Sequence, residues 1–370
     1  MKASTSPLKW IHSPLVDLGV IAFGWLPVYV LFLVAWSAWK FDNSCDVLTL
    51  WACPDGIQSL IVFAGFITSV HRHYALPFIY GDRAEFDRHA AVYTWVPILL
   101  ACVVFPACLY RLLPPGSRRS ILYGIYTFVA SVSGVWNIYH ILMQKFGFLR
   151  IYAAKLGYGE VKLDRKLFFT WLALVIVLSA RGYTETFFQY LSDSGFGWSV
   201  VLLPATRVAA KILLAPTALV AAYCTWQWGK IEWRNYTPAA LPKLIFATSV
   251  ALICLTFMQS LLLGFIVFGF SHAFEYCVFA NLYACRKYRG VNSGPPMCFW
   301  SRGPLFLGPV LANAILVAAV FYLYKVLRSN PLWGLLPAYA LTSSLLHFYY
   351  DGLIWKMSNQ KTREIVLDLR

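Results

Sequence analysis

The stretch PKLIFATSVALICLTFMQSLLLGFIVFGFSHAFEYCVFANLYACRKY, Pro242 to Tyr288, decides how this chain folds. As one helix it would run about 70 Å at 1.5 Å per residue, more than twice the roughly 30 Å of hydrocarbon that a spanning helix crosses. Gln259 and Ser260 offer the candidate tight turn, so the stretch reads as two spans, 243–260 and 262–285. A single kinked helix here would instead reverse the orientation of everything after it relative to everything before.

Working outward, the whole chain has the same character. Of its 370 residues 59% are hydrophobic and only 13% charged, against roughly 45–50% and about 25% in ordinary globular domains. With a mean hydropathy of +0.62, there are too few polar residues to coat a water-soluble globule. Collagen-like, disordered and disulfide-scaffold classes fall too, since 23 Gly, 19 Pro and 9 Cys are unexceptional for this length. The reading is an all-α, polytopic integral membrane bundle, in the inner or plasma membrane if the source is bacterial.

Runs long enough to cross a bilayer lie at 17–39, 57–80, 91–113, 120–144, 167–190, 205–228, 243–260, 262–285, 304–327 and 332–357, about ten spans. The polar, Pro-punctuated segment Met1–Asp17 leads into the first of them, which reads as a signal anchor. With the N-terminus inside, most of the 31 Lys and Arg fall on cytoplasmic segments. Lys40, Arg111, Arg118, Arg119, Arg181, Lys325 and Arg328 are left outside, while Arg207 and Lys211 snorkel from a span end. Both termini are then cytoplasmic. Residues 1–357 form a single membrane domain and 358–370 a short polar tail, and the longest inner loop runs from Lys145 to Lys166. The net charge of +15 is thus explained by orientation, and nucleic acid is not an expected partner. The bilayer itself is.

Six cysteines, at 102, 108, 224, 254, 277 and 285, sit in or beside spans as small core residues. Cys45 and Cys53 share one outer loop, where a disulfide and two free thiols are equally open readings.

The seven histidines carry more information. His71 and His73 approach the cytoplasmic end of the second span and His140 that of the fourth; His272 and His347 lie mid-span or in the inner half of the eighth and tenth. Four helices thus bring imidazole to similar depth, where an ionisable group is costly and where imidazole is the commonest metal ligand. In WNIYHILMQ, Trp136 to Gln144, the residues Asn137, His140 and Gln144 share a helix face. Glu275 follows His272 by three in HAFEY, and Asp351 follows His347 by four in HFYYDG. Each carboxylate can ligate a metal, act as catalytic base or orient the ring, with Asn137 and Gln144 in support. His71 and His73 point to nearly opposite faces of a regular helix, so either the backbone unwinds before Pro77 or one ring serves elsewhere; His73 is the preferred ligand and His71 the alternate.

A single histidine near a helix end is usually an interhelical hydrogen-bonding group. Four helices with two adjacent carboxylates shift the balance to a metal site: His71, His73, His140, His272, Glu275, His347 and Asp351, with Glu275 and Asp351 as the catalytic groups. This thiolate-free N/O set suits non-haem iron first, with zinc, copper and manganese as other metals that fit. An apolar pocket protects reactive oxygen chemistry from side reactions, which favours iron and a substrate that enters from the bilayer.

In that respect the chain resembles polytopic multi-histidine membrane iron enzymes, the fatty-acid desaturase and hydroxylase type and the carotenoid-cleaving Brp/Blh-like type. The likeness rests on HRH at 71–73 and on the separate His140, His272 and His347; the HxxxH and HxxHH boxes of desaturases are absent. It implies a metal, dioxygen, a lipid or isoprenoid substrate and an electron-donor protein, and transfers no residue role. Two other classes fit parts of the pattern: a proton- or metal-ion-coupled transporter, and an electron-transfer protein with haem between histidines of two helices.

Overall fold

The computed structural model describes residues 8–37, 55–114, 116–193, 199–259, 261–288, 307–327, 334–356 and 359–368. Among them every regular element is helical. A first turn, α1 (Pro14–Val16), runs into a π-helical turn at Asp17–Ala22, followed by α2 (Leu26–Ser37), α3 (Asp55–His71), α4 (Ala75–Tyr80), α5 (Arg83–Arg88) and α6 (Ala90–Cys108). Three long helices follow, α7 (Ser117–Leu156), α8 (Val161–Asp193) and α9 (Ser199–Arg234). The chain continues through α10 (Leu241–Gln259), α11 (Leu261–Lys287), α12 (Leu307–Leu327), α13 (Leu335–Ile354) and α14 (Gln360–Leu367).

Among the described residues, five helical stretches are long and apolar enough to cross a membrane, and a sixth is gained if Pro14–Ala22 and Leu26–Ala35, bent by 44°, count as one span. The Pro242–Tyr288 stretch carries two helices, α10 ending at Gln259 and α11 starting at Leu261, while Ser260 of the expected turn lies outside the described residues. The segment Lys145–Lys166, expected as the longest inner loop, is mostly helix. Residues 145–156 extend α7 and 161–166 open α8, leaving a link of four residues. Charges in a loop would be solvated, yet Lys145 is fully buried, and Arg150 pairs with Asp164, which is 1% exposed. α7 ends where Gly157 takes φ +75°, a left-handed conformation that glycine adopts without a Cβ clash. Cys45 and Cys53 lie outside the described residues.

The chain forms two compact units, whose boundaries fall inside α3, α7 and α11. Unit 1 comprises 1–65, 139–275 and 370. Here α8 and α9 form an antiparallel pair: Trp171 Nε1 donates to Thr225 Oγ1 at 3.0 Å, and Trp228 Nε1 to Asp164 Oδ1 at 2.9 Å. Both indoles thereby bury their rings without leaving an N–H unsatisfied. The N-terminal segment is fastened by Asp17, whose carboxylate accepts from the Ile11 N–H (2.6 Å), the His12 N–H (3.0 Å) and the Tyr152 hydroxyl (2.7 Å). The turn before α2 meets α10 where Trp25 Nε1 donates to Ser249 Oγ at 2.8 Å. Just before α2, Gly24 is required by space, since a Cβ there would stand 2.8 Å from Phe274 Cδ1.

Unit 2 comprises 66–138 and 276–369. α6 and α13 pack through Val104, Cys108 and Ala338, flanked by Leu100, Tyr126 and Leu341. The α4–α5 corner is tied by Asp82, which caps α5 by accepting from the Glu85 N–H at 3.3 Å and also holds Lys287 Nζ at 2.9 Å and the Tyr288 hydroxyl at 3.0 Å. Burial pushes the Asp82 carboxyl up, but the Lys287 ammonium and the Tyr288 and Glu85 donors outweigh it and hold it below the usual carboxylate value.

Candidate histidine and carboxylate sites

Unit 1 carries His140 on α7 and His272 and Glu275 on α11. The His140 and His272 rings meet edge to face with centroids 4.9 Å apart. Gln144, one turn beyond His140, donates to the His272 carbonyl at 3.1 Å and to Glu275 Oε2 at 3.4 Å. Glu275 Oε1 accepts from Ser271 Oγ at 2.5 Å and from Lys145 Nζ, itself 2.6 Å from Ser271 Oγ. Lys145 and Glu275 are both fully buried. The carboxylate expected beside the histidines therefore serves, in this arrangement, as the partner of a buried ammonium. Asn137, expected on the same face of α7, makes no side-chain hydrogen bond among the described residues.

Unit 2 carries His71, His73, His347 and Asp351. α3 ends at His71, and a tight turn follows in which Tyr74 N–H donates to the His71 carbonyl at 3.0 Å before α4 begins at Ala75. The backbone thus unwinds just before Pro77, and the two rings part. The His71 and His347 rings meet edge to face with centroids 4.5 Å apart. His73 instead uses Nδ1 on the Ser69 carbonyl at 2.9 Å and Nε2 on the Tyr339 hydroxyl. The sequence favours His73 as the ligand; the histidine that reaches His347 is His71.

On α13, His347 Nε2 and Asp351 Oδ2 stand 3.6 Å apart across one turn. The Tyr276 hydroxyl donates to Asp351 Oδ1 at 2.7 Å and accepts from Trp355 Nε1 at 3.3 Å. The Tyr276 ring also packs edge-on to both His71 and His347, at 5.6 and 5.1 Å. One oxygen of Asp351 is thus fixed by a tyrosine while the other faces an imidazole.

Some of these donors are close enough together that they could hold a metal ion. A His71 nitrogen and a His347 nitrogen lie within 4.8 Å of each other, as do a His347 nitrogen and an Asp351 oxygen. Two ligands at ~2.1 Å from one ion stand at most about 4.2 Å apart, so a small inward shift completes the geometry. His71, His272, His347 and Asp351 are all buried, and His140 nearly so, with 9% exposure.

Lys145, Ser271, Tyr276 and Trp355 were not legible as site residues. In the sequence Lys145 reads as one of the loop cations; Tyr276 carries a signal, because it follows His272 by four and so shares its face of α11. No protein-family model, no curated protein and no solved structure matches this chain.

Proposed function

We propose that this chain is an integral membrane metalloprotein whose histidines and carboxylates hold a transition metal, and that the metal is non-haem iron used in oxygen-dependent chemistry on a lipid or isoprenoid substrate. The observation that carries the reading is the repeated edge-to-face meeting of two histidines from helices distant in sequence, His140 with His272 and His71 with His347. Ionisable side chains gathered on apolar helices are costly and mark functional sites, and imidazole is the commonest metal ligand. In unit 2 we assign the ligand role to His71, His347 and Asp351, with Tyr276 orienting the carboxylate; in unit 1, to His140 and His272.

The thiolate-free donor set suits iron, and a substrate dissolved in the bilayer reaches such a site without crossing water. Hydroxylation or desaturation with dioxygen takes one electron pair from the substrate and one from outside, so an electron-donor protein is the partner this chemistry requires. The accompanying topology is ten spans with both termini in the cytoplasm, as the distribution of Lys and Arg favours.

The test is metal analysis with an optical spectrum on the full chain purified in detergent without chelator, wild type beside His272→Ala and His347→Ala. Near-stoichiometric iron without a Soret band, lost in either variant while gel filtration and helical circular dichroism are retained, is the expected result. Metal-free wild type would overturn the reading. A Soret band would replace it with haem-based electron transfer.

A further inference from the structure

A groove lies on α8 and α9 of unit 1, helices that carry none of the histidines. Lys162, Arg165 and Lys166 recur at helical spacing on one stripe of α8, and Phe169 continues that stripe one turn further along. The opposite stripe, with Asp164, Phe168 and Trp171, is buried. The cationic stripe borders a groove of about 500 Å³ whose apolar wall is Phe169 of α8 with Val220 and Cys224 of α9, a size in the range of ligand-binding clefts.

The three cations differ from others in the same unit. Arg150 is paired with Asp164 and Lys243 with Glu232, whereas Lys162, Arg165 and Lys166 have no acidic partner among the described residues. They are exposed at the head of a groove whose walls are apolar.

We propose that this groove binds an anionic phospholipid, its phosphodiester headgroup held by Lys162, Arg165 and Lys166 and the upper part of an acyl chain lying against Phe169, Val220 and Cys224. Charge complementarity selects an anion, and the adjoining apolar wall selects one that carries a hydrocarbon chain. A cationic side chain near an anionic lipid surface strengthens binding by a factor of about five, so a three-cation head gives a preference of tenfold or more over zwitterionic lipid.

The test uses the full chain in non-ionic detergent, titrated with phosphatidylglycerol or with phosphatidylcholine of identical acyl chains, and read by thermal melting and native mass spectrometry. We expect tighter binding of phosphatidylglycerol by at least tenfold. That preference should be lost in the triple variant Lys162→Gln, Arg165→Gln, Lys166→Gln. Val220→Trp, which fills the groove and keeps the cations, should weaken binding of phosphatidylglycerol as well. Equal binding of the two lipids by wild type, an undiminished preference in the triple variant, or undiminished binding of phosphatidylglycerol by Val220→Trp overturns the proposal. So does a melting shift reproduced by inorganic phosphate alone, which would mark a free-anion site. Should the triple variant fail to fold, the wild-type comparison and Val220→Trp still decide. Iron content measured on the same samples is independent of every arm, so failure here is distinguishable from failure of the metal reading.

Discussion

Replacing Lys145 by Met separates two roles that Glu275 can have. Lys145 and Glu275 are both fully buried, and removing the ammonium leaves a carboxylate inside the protein with, among the described residues, Ser271 and Gln144 to donate to it. Breaking a buried pair from one side costs about 3–5 kcal/mol, because a charge stays buried without its counter-charge. Replacing both members by neutral groups of similar volume is close to neutral, so Lys145→Met with Glu275→Gln should lie within about 1 kcal/mol of wild type. The assay is a double-mutant cycle on unfolding in mixed micelles, with bound metal measured in each variant. We expect strong coupling between the two sites, and metal retained in Glu275→Gln and in the double variant. Additive single-site losses would refute the ion-pair argument. Loss of metal in Glu275→Gln, with stability restored in the double variant, would return Glu275 to the ligand set.

Three further outcomes follow from other contacts. Tyr276→Phe removes the donor to Asp351 and the acceptor for Trp355; metal affinity should fall about 10–100-fold, and an unchanged affinity would deny Tyr276 its orienting role. The depressed Asp82 carboxyl contributes stability that is complete above its ordinary value of 3.8 and is lost as pH falls through its lower folded value. Thermal melts of wild type should therefore drop in that acid range more steeply than those of Asp82→Asn, and parallel curves would contradict this. Gly24→Val should cost about 1–3 kcal/mol by overpacking against Phe274, and melting unaltered by that change would show that the aromatic yields freely.

The fold class was legible because apolar composition depends on no register, and the turn near Gln259 because a run too long for one span must reverse. Helix ends were less so. α7 outruns its expected span by more than ten residues, since nothing between Leu142 and Leu156 breaks a helix and the charges there find partners inside the protein. The histidines were legible as a set, because each is expensive where it sits. Which of His71 and His73 meets His347 was not, because the answer depends on how the chain turns between α3 and α4, and a Pro six residues after His71 permits a break without fixing its geometry.

HAFEY and HFYYDG look alike in sequence, each placing a carboxylate one helical turn after a buried histidine, and they do different things. Glu275 is met by an ammonium, a hydroxyl and an amide, a donor set that ties the carboxyl group into the packing between helices. Asp351 gives one oxygen to Tyr276 and turns the other toward His347, an arrangement that orients an imidazole or shares a cation with it. The difference comes from what the opposing element brings to each turn: for Glu275 a lysine of α7, for Asp351 a tyrosine of α11. Spacing along one helix can say that a carboxylate and a ring share a face; whether that carboxylate is structural or chemical is decided by the side chain facing it. On that ground Asp351, with His71 and His347, is the stronger carboxylate candidate for the metal, and Glu275 is better read as the counter-charge that lets Lys145 be buried.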